Sequence, residues 1–323
     1  MSRIVAVFGA TGTQGSAVVN ALLEDKVFVP RAITRNASSD AAKALAARGA
    51  EVVTGDLWDR ESIKKALAGC EAVFGVSLFG GSNLSGAHLI ASQVTNYNDP
   101  SIAGGDTAGE IVQGKQLIDV AKEVGIKFFV WSSLPNSTKL SGGKYPGIHH
   151  FDNKAAVEDY LRASGLPNAT VQTGWFAENV INYPFVFGKG EGEAYEIKIP
   201  LFGPTKTIAL LWVEHELGQS VLALLKHYQD RADEVLNKTF YVANAQITFP
   251  EFAEVLSKAI GKPVEVVSPP TTGVKELDIM NAYASDIGLY RDVVLPDPRL
   301  VALGVKFATI EDFAQERAKP RFA

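Results

Sequence analysis

The chain has a single cysteine, Cys70. One thiol cannot close an intrachain disulfide, so the disulfide-stapled secreted class is excluded and a reducing compartment is the natural home. Cys70 itself reads as a small apolar residue ending a helix rather than as a reactive thiol. No apolar run reaches the roughly 18 residues of a membrane span. The first residues lack the apolar core and small-residue cleavage site of a secretory leader. There is no lysine or arginine block, and the net charge is −5, which argues against a basic face for nucleic acid. Five histidines, His88, His149, His150, His215 and His227, lack ligand spacing with acids or with the cysteine, so no metal site is expected. Repeats and low-complexity tracts are also missing. These absences describe a soluble intracellular protein, cytoplasmic with the nucleus as a second address, that binds neither membrane nor nucleic acid directly.

What is present begins at once. A short apolar strand, Arg3 to Phe8, enters Gly9-Ala10-Thr11-Gly12-Thr13-Gln14-Gly15, and an amphipathic run from Ser16 to Glu24 follows. Each glycine has its own expected task. Gly9 permits the turn off the strand, Gly12 lets a pyrophosphate approach the backbone, and Gly15 lets the helix lie close. The helix start offers unpaired N–H groups and the positive dipole end to an anion. Thr11, Thr13 and Gln14 lie in the same turn and join the candidate phosphate site.

Strand and helix then alternate. Strands are expected at Val29 to Thr34, Glu51 to Thr54, Ala72 to Val76, Phe128 to Trp131 and Ala169 to Thr173. Helices are expected at Ala41 to Arg48, Glu61 to Leu67, Glu110 to Val124 and Asn153 to Ser164. Apolar strands in this rhythm predict a doubly wound parallel α/β sheet of the Rossmann type, covered on both faces. Its ligands bind beyond the carboxyl ends of the strands. The span from Ser77 to Gly109 has no clear periodicity, so it is either functional or disordered, and its place after the fourth strand makes a lid over that crevice the functional reading. After about Gly174 the pattern changes to shorter, Pro- and Gly-punctuated elements, among them helices at Val213 to Lys226, Phe249 to Ile260 and Glu311 to Arg317. The expected division is a nucleotide-binding domain over 1–174 and a smaller C-terminal α/β lobe over 175–323 that closes on it.

The second strand ends Ala32-Ile33-Thr34-Arg35-Asn36. An acidic residue here, about 20 residues past the glycines, would bond a ribose 2′-hydroxyl and select NAD. Arg35 stands there instead, and its planar fork suits a 2′-phosphate, with Asn36 as a second donor. The expected cofactor is NADP(H). Asp56 and Leu57, after the third strand, are placed to meet the adenine edge, although Asp56 reads equally as a turn residue. Ser77, just past the fourth strand, completes the cofactor set.

A short-chain dehydrogenase carries a Tyr, a Lys four residues later on the same helix face, and a Ser ending the fifth strand. Ser132 or Ser133 fills the Ser place, with Ser133 taken as the candidate. The helix reads His150-Phe151-Asp152-Asn153-Lys154, so His stands where Tyr is expected. Lys154 can bond the cofactor ribose whether or not catalysis follows. His150 can act as an acid near neutral pH, or be only a helix-entry histidine. Trp175, Phe176, Phe185 and Phe187 could line an apolar pocket, though aromatics after a strand are more often core.

The glycine turn, Thr34-Arg35-Asn36, Gly55-Asp56, Trp131-Ser132-Ser133-Leu134 and the His-Phe-Asp-x-Lys run together resemble the NmrA-like family of atypical short-chain dehydrogenases, closest to its redox-sensor type. The resemblance runs from Arg3 to about Asn182. It implies NADP(H) binding without the catalytic Tyr, and for this chain the expected role is a redox-state sensor or regulator with little or no dehydrogenase activity, the alternative being an NADPH-dependent reductase of an aromatic carbonyl, quinone or similar small apolar substrate. Some relatives are nucleotide-sensing regulators that bind a protein partner. Others are NADPH-dependent reductases of quinones or similar small apolar substrates. Two departures stand out. The 77–109 connection is longer than expected, which favours a roofed substrate pocket. Ala37-Ser38-Ser39-Asp40 also lacks the basic residues that often help to grip a 2′-phosphate.

Overall fold

The computed structural model describes residues 3–77, 109–190 and 192–323. Six strands follow in order: β1 (Arg3–Val7), β2 (Phe28–Thr34), β3 (Glu51–Thr54), β4 (Ala72–Gly75), β5 (Phe128–Ser133) and β6 (Asn168–Thr173). With a seventh strand, Lys238–Val242, they form one sheet in the order seventh, β6, β5, β4, β1, β2, β3. Every pairing in it is parallel. The order reverses beside β1, so the crevice of a doubly wound sheet opens where the glycine turn leaves that strand.

Among the described residues, the helices of eight residues or more are α1 (Thr13–Asp25), α2 (Asp40–Ala47), α3 (Arg60–Leu67), α4 (Gly109–Glu123), α5 (His149–Ala163), α6 (Val213–His227), α7 (Phe249–Ile260) and α8 (Lys275–Asp286). Alternation along the strands divides the core. Val5, Val7, Phe128 and Val130 face α1 and α6. Ala6, Phe8, Phe129 and Trp131 face α3, α4 and α5. Close helix contacts rest on missing side chains. A Cβ on Gly218 would come within 2.3 Å of the Ala17 carbonyl oxygen, and one on Gly114 within 2.6 Å of Val157.

The chain beyond Gly174 contributes to both layers. Helix α6 and the edge strand Lys238–Val242 pack into the first core. Two three-stranded sheets, with α7 and the last helical turns, enclose a second core around Ile197, Leu210, Trp212, Phe252 and Phe313. Three of the four pocket aromatics belong to these cores. Trp175 packs edge-on against Phe249 and Phe252, Phe187 stacks on Tyr195, and Phe176 lies against the first core, while Phe185 is exposed.

Local signals hold at several ends. Asp59 caps α3, Thr248 and Glu251 form the capping box of α7, and Gly261 ends α7 at φ 75°. Helix α5 differs from the sequence reading: it starts at His149, four residues before the expected Asn153. Its cap comes from far away, since Glu276 Oε1 accepts the His150 backbone N–H at 3.1 Å. The lid expected over 77–109 lies, apart from Ser77 and Gly109, outside the described residues.

Candidate active site at the carboxyl ends of the central strands

The glycine turn separates what folding needs from what a ligand needs. Gly9 sits at φ +64°, in the left-handed region that penalises a side chain. A Cβ on Gly15 would fall 2.2 Å from the Gly9 oxygen and 2.8 Å from Ala10 Cα, so the first turn of α1 rests directly on the strand exit. Gly12 is different. Its φ of −94° is open to any residue, and a Cβ would meet nothing nearer than the Gly9 oxygen at 3.4 Å. Neither backbone nor packing demands glycine there. The α1 N-terminus has no side-chain cap and no acidic residue in its first turn. Its orphan N–H groups and dipole therefore point at a cradle suited to an anion such as a pyrophosphate.

Around this turn the expected residues take distinct places. Thr11 is exposed, and Thr13 and Gln14 are partly so. Gln14 Oε1 accepts a hydrogen bond from Ser132 Oγ at 2.6 Å, tying the turn to the end of β5. Arg35 is exposed at the end of β2, and no carboxylate pairs with it among the described residues. Asn36 Oδ1 accepts from the Ser38 N–H and hydroxyl, which closes a local turn. Asp56 Oδ1 accepts the Trp58 N–H, again a turn bond, and leaves the Trp58 ring exposed beside it. Leu57 is partly buried against the core below, and its carbonyl accepts from Gln116.

The two serines of β5 point to opposite faces, as a period of two requires. Ser132 faces the glycine turn through Gln14. Ser133 is fully buried on the α5 side, where its hydroxyl bonds the Lys154 carbonyl at 3.3 Å. It also helps to hold Glu158. Burial pushes that carboxyl up, but hydrogen bonds from Arg162, Ser133 and Thr239 together outweigh it and keep Glu158 below its usual range. Of the pair, Ser132 is the one joined to the crevice.

Lys154 is buried and bonded to Glu110, whose Oε1 also accepts from Ser77 Oγ at 2.5 Å. Trp131 Nε1 and Ser133 both donate to the Lys154 carbonyl, which fixes this turn of α5 against β5. Ser77, Glu110 and Lys154 thus form one buried polar cluster where β4 ends and α4 begins. One turn earlier, His150 Nδ1 lies 2.5 Å from Glu276 Oε1. Between them, Asp152 accepts from Ser137 and Thr138 and anchors the short helix Ser137–Leu140. Two buried carboxylates, Glu110 and Glu276, therefore escaped the motif pattern. Glu110 carried a faint signal, a lone acid in the first turn of a helix opening on the crevice. Glu276 carried none. Each has a second oxygen, Oε2, without a hydrogen-bond partner among the described residues.

Cys70 is buried beside Arg31, and burial pushes its thiol up to about 11, so it is held as an unreactive thiol. No cluster of three or more His, Cys, Asp or Glu side chains stands ready for a metal among the described residues. No helix among them is long and apolar enough to cross a membrane.

The strand order agrees with the comparison to known proteins. The sequence profile of the NmrA-like family matches residues 1–294. The chain belongs to the NmrA-like family. The NmrA-like family domain-containing oxidoreductase cpsB of Aspergillus campestris is 30% identical over 276 residues, covering 82% of this chain and 75% of the relative. Among solved structures, the negative transcriptional regulator NmrA in complex with NADP superposes with a TM-score of 0.77 at 20% identity, over 98% of this chain and 95% of NmrA. The NADPH-dependent quinone oxidoreductase QOR2 of Escherichia coli, complexed with NADPH, gives 0.67 at 22% identity over 96% and 98%. At these identities the structural likeness concerns the fold. That fold is the seven-stranded, doubly wound sheet of the NmrA-like proteins.

Proposed function

We propose that this NmrA-like protein is an NADPH-dependent oxidoreductase that reduces a small apolar carbonyl or quinone. The observation that carries the reading is His150, held by Glu276 one turn before Lys154; the cofactor half of it rests on Gly12, a glycine that neither conformation nor packing requires and that keeps a phosphate cradle open at the α1 N-terminus. The residues present fit the dinucleotide. Backbone N–H groups at Gly12 to Gln14 would hold the pyrophosphate. Arg35, exposed and unpaired with any carboxylate among the described residues, would meet the 2′-phosphate. Lys154 would hold the nicotinamide-side ribose, with Glu110, itself held by Ser77, fixing its ammonium. When bound, the dihydronicotinamide supplies a hydride.

The chain's own part is to orient and to move a proton. His150 occupies the helix position one turn before Lys154 that a proton donor needs, and its ring is held by Glu276. Ser132, joined to the glycine turn by Gln14, lies at the end of β5 where a substrate oxygen could be bonded. The relatives' description as oxidoreductases agrees with this reading.

One observation favours a second reading, an NADP(H)-responsive regulator acting through a protein partner. No tyrosine stands one turn before Lys154, and NmrA, described as a negative transcriptional regulator, shares the fold. Titration with NADPH and NADH, followed by turnover on a panel of quinones and aldehydes, separates the two. Substrate-dependent NADPH consumption supports the reductase. Tight NADPH binding with no consumption across the panel rejects it in favour of the regulator.

A further inference from the structure

Trp58 is 60% exposed, although tryptophan is highly buried on average. The turn that carries it, between β3 and α3, is tied at each step. The Asp56 N–H donates to Ser62 Oγ at 2.8 Å, and that hydroxyl donates to the Asp56 carbonyl at 3.2 Å. The Leu57 carbonyl accepts from Gln116 Nε2 at 2.8 Å. The Trp58 N–H donates to Asp56 Oδ1, and the Asp59 N–H to the Asp56 carbonyl, both at 3.0 Å. The indole therefore meets solvent from a fixed base. Its reach is fixed as well. A Cβ on Gly109 would come within 3.2 Å of Trp58 Cζ2 and 3.3 Å of Cη2, so the far edge of the ring lies against the first residue of α4. That residue adjoins the exit of β4, where Ser77 Oγ donates to Glu110 Oε1 at 2.5 Å. The ring thus extends from the exit of β3 toward that of β4, along the crevice rim, with β2 and β1 between them in the sheet. Arg35 ends β2 at the same level: Thr34 pairs with Thr54, and the Gly55 N–H donates to the Thr34 carbonyl at 3.0 Å.

We propose that the exposed indole of Trp58 is the stacking platform for the adenine base of the bound dinucleotide. The inference rests on the dinucleotide half of the reading above and adds a residue to it. A 2′-phosphate held by Arg35 is carried on the adenosine ribose, so the base on that ribose lies within one sugar of the guanidinium. Trp58 supplies a flat π surface at that end of the rim, and a base stacked on an aromatic ring needs no hydrogen-bond partner to be held. Gly109 has a part in this, because a side chain there would crowd the edge of the ring. Stacking takes no account of the 2′-phosphate. Trp58 therefore serves NADPH and NADH alike, whereas Arg35 separates them.

The test needs no turnover. The probes are adenosine 2′,5′-bisphosphate, which is the adenine half alone, with NADPH and NADH, each titrated calorimetrically into the whole chain. Trp58→Ala should raise all three Kd values by a similar factor, about tenfold to a hundredfold. Its thermal midpoint should stay within about two degrees of the wild type, since the ring is exposed. Trp58→Phe, which keeps a flat aromatic face, should hold each Kd within about threefold of the wild type. Fluorescence gives a second readout. Trp131 and Trp212 are buried and Trp175 is partly buried, so adenosine 2′,5′-bisphosphate should quench wild-type tryptophan emission and leave that of Trp58→Phe unchanged. An unchanged Kd for the bisphosphate in Trp58→Ala would overturn the proposal. So would a loss confined to NADPH, or a loss in Trp58→Phe as large as in Trp58→Ala. If the wild type binds none of the three nucleotides, the dinucleotide reading falls and the stacking with it. If it binds them and consumes no NADPH on any substrate, the reductase reading alone fails, and the Kd values still decide the role of Trp58.

Discussion

Alanine at two glycines three positions apart should have opposite consequences. A methyl group on Gly15 would overlap the Gly9 carbonyl at 2.2 Å and approach Ala10 Cα at 2.8 Å. Both obstacles are backbone, so relief requires moving α1 off the strand exit. That should cost about 3 kcal/mol or more and lower the unfolding midpoint by many degrees. A methyl group on Gly12 meets only the Gly9 oxygen at 3.4 Å, at an ordinary φ of −94°. Its cost to stability should be about 1 kcal/mol or less, chiefly the difference between glycine and alanine as an N-cap. The same methyl would fill the phosphate cradle. Losing two charge-assisted hydrogen bonds of roughly 1.5 kcal/mol each predicts NADPH binding weaker by about a hundredfold or more. Thermal unfolding and a fluorescence titration with NADPH measure the two effects separately. Wild-type affinity in Gly12→Ala, or equal destabilisation by the two substitutions, would refute the reasoning.

Two further outcomes follow from single side chains. Arg35→Ala should weaken NADPH by about tenfold while leaving NADH nearly unchanged, because only the 2′-phosphate meets the guanidinium; paired isothermal titrations check it, and equal losses would remove Arg35 from the site. Glu178 lies buried against the start of α6, where Oε1 accepts the Glu214 N–H at 3.0 Å, yet burial pushes its carboxyl up to about 7. Folding therefore favours the protonated form. Its contribution is complete at acid pH and is lost as pH rises through about 7, worth up to about 3 kcal/mol. Denaturant unfolding across that range should show the decline, and Glu178→Gln should flatten it.

The glycine turn, the alternation of β1 to β6 and the capping box at Thr248 were legible because each is set by neighbours within a few residues. What lay beyond reach was set by distant partners. Helix α5 begins at His149 because a carboxylate 126 residues away satisfies its N-terminus, and no local residue announces that. The edge strand Lys238–Val242 follows a run read as lobe, and only its register against β6 makes it part of the central sheet. In the site, Asn36 and Asp56 show local turn bonds that their residue types already allowed. The choice between Ser132 and Ser133 depended on which face of β5 the glycine turn approaches, a question of packing rather than of motif.

The central claim is that this chain spends NADPH rather than only binding it. Deuterium placed at C4 of the dihydronicotinamide measures this directly when the alcohol formed from an aldehyde or ketone is analysed by mass, because there the deuteride stays on carbon. The account predicts label in the product for the wild type and its loss in Lys154→Ala. Tight NADPH binding with all label retained on the nucleotide, across the whole substrate panel, would contradict it.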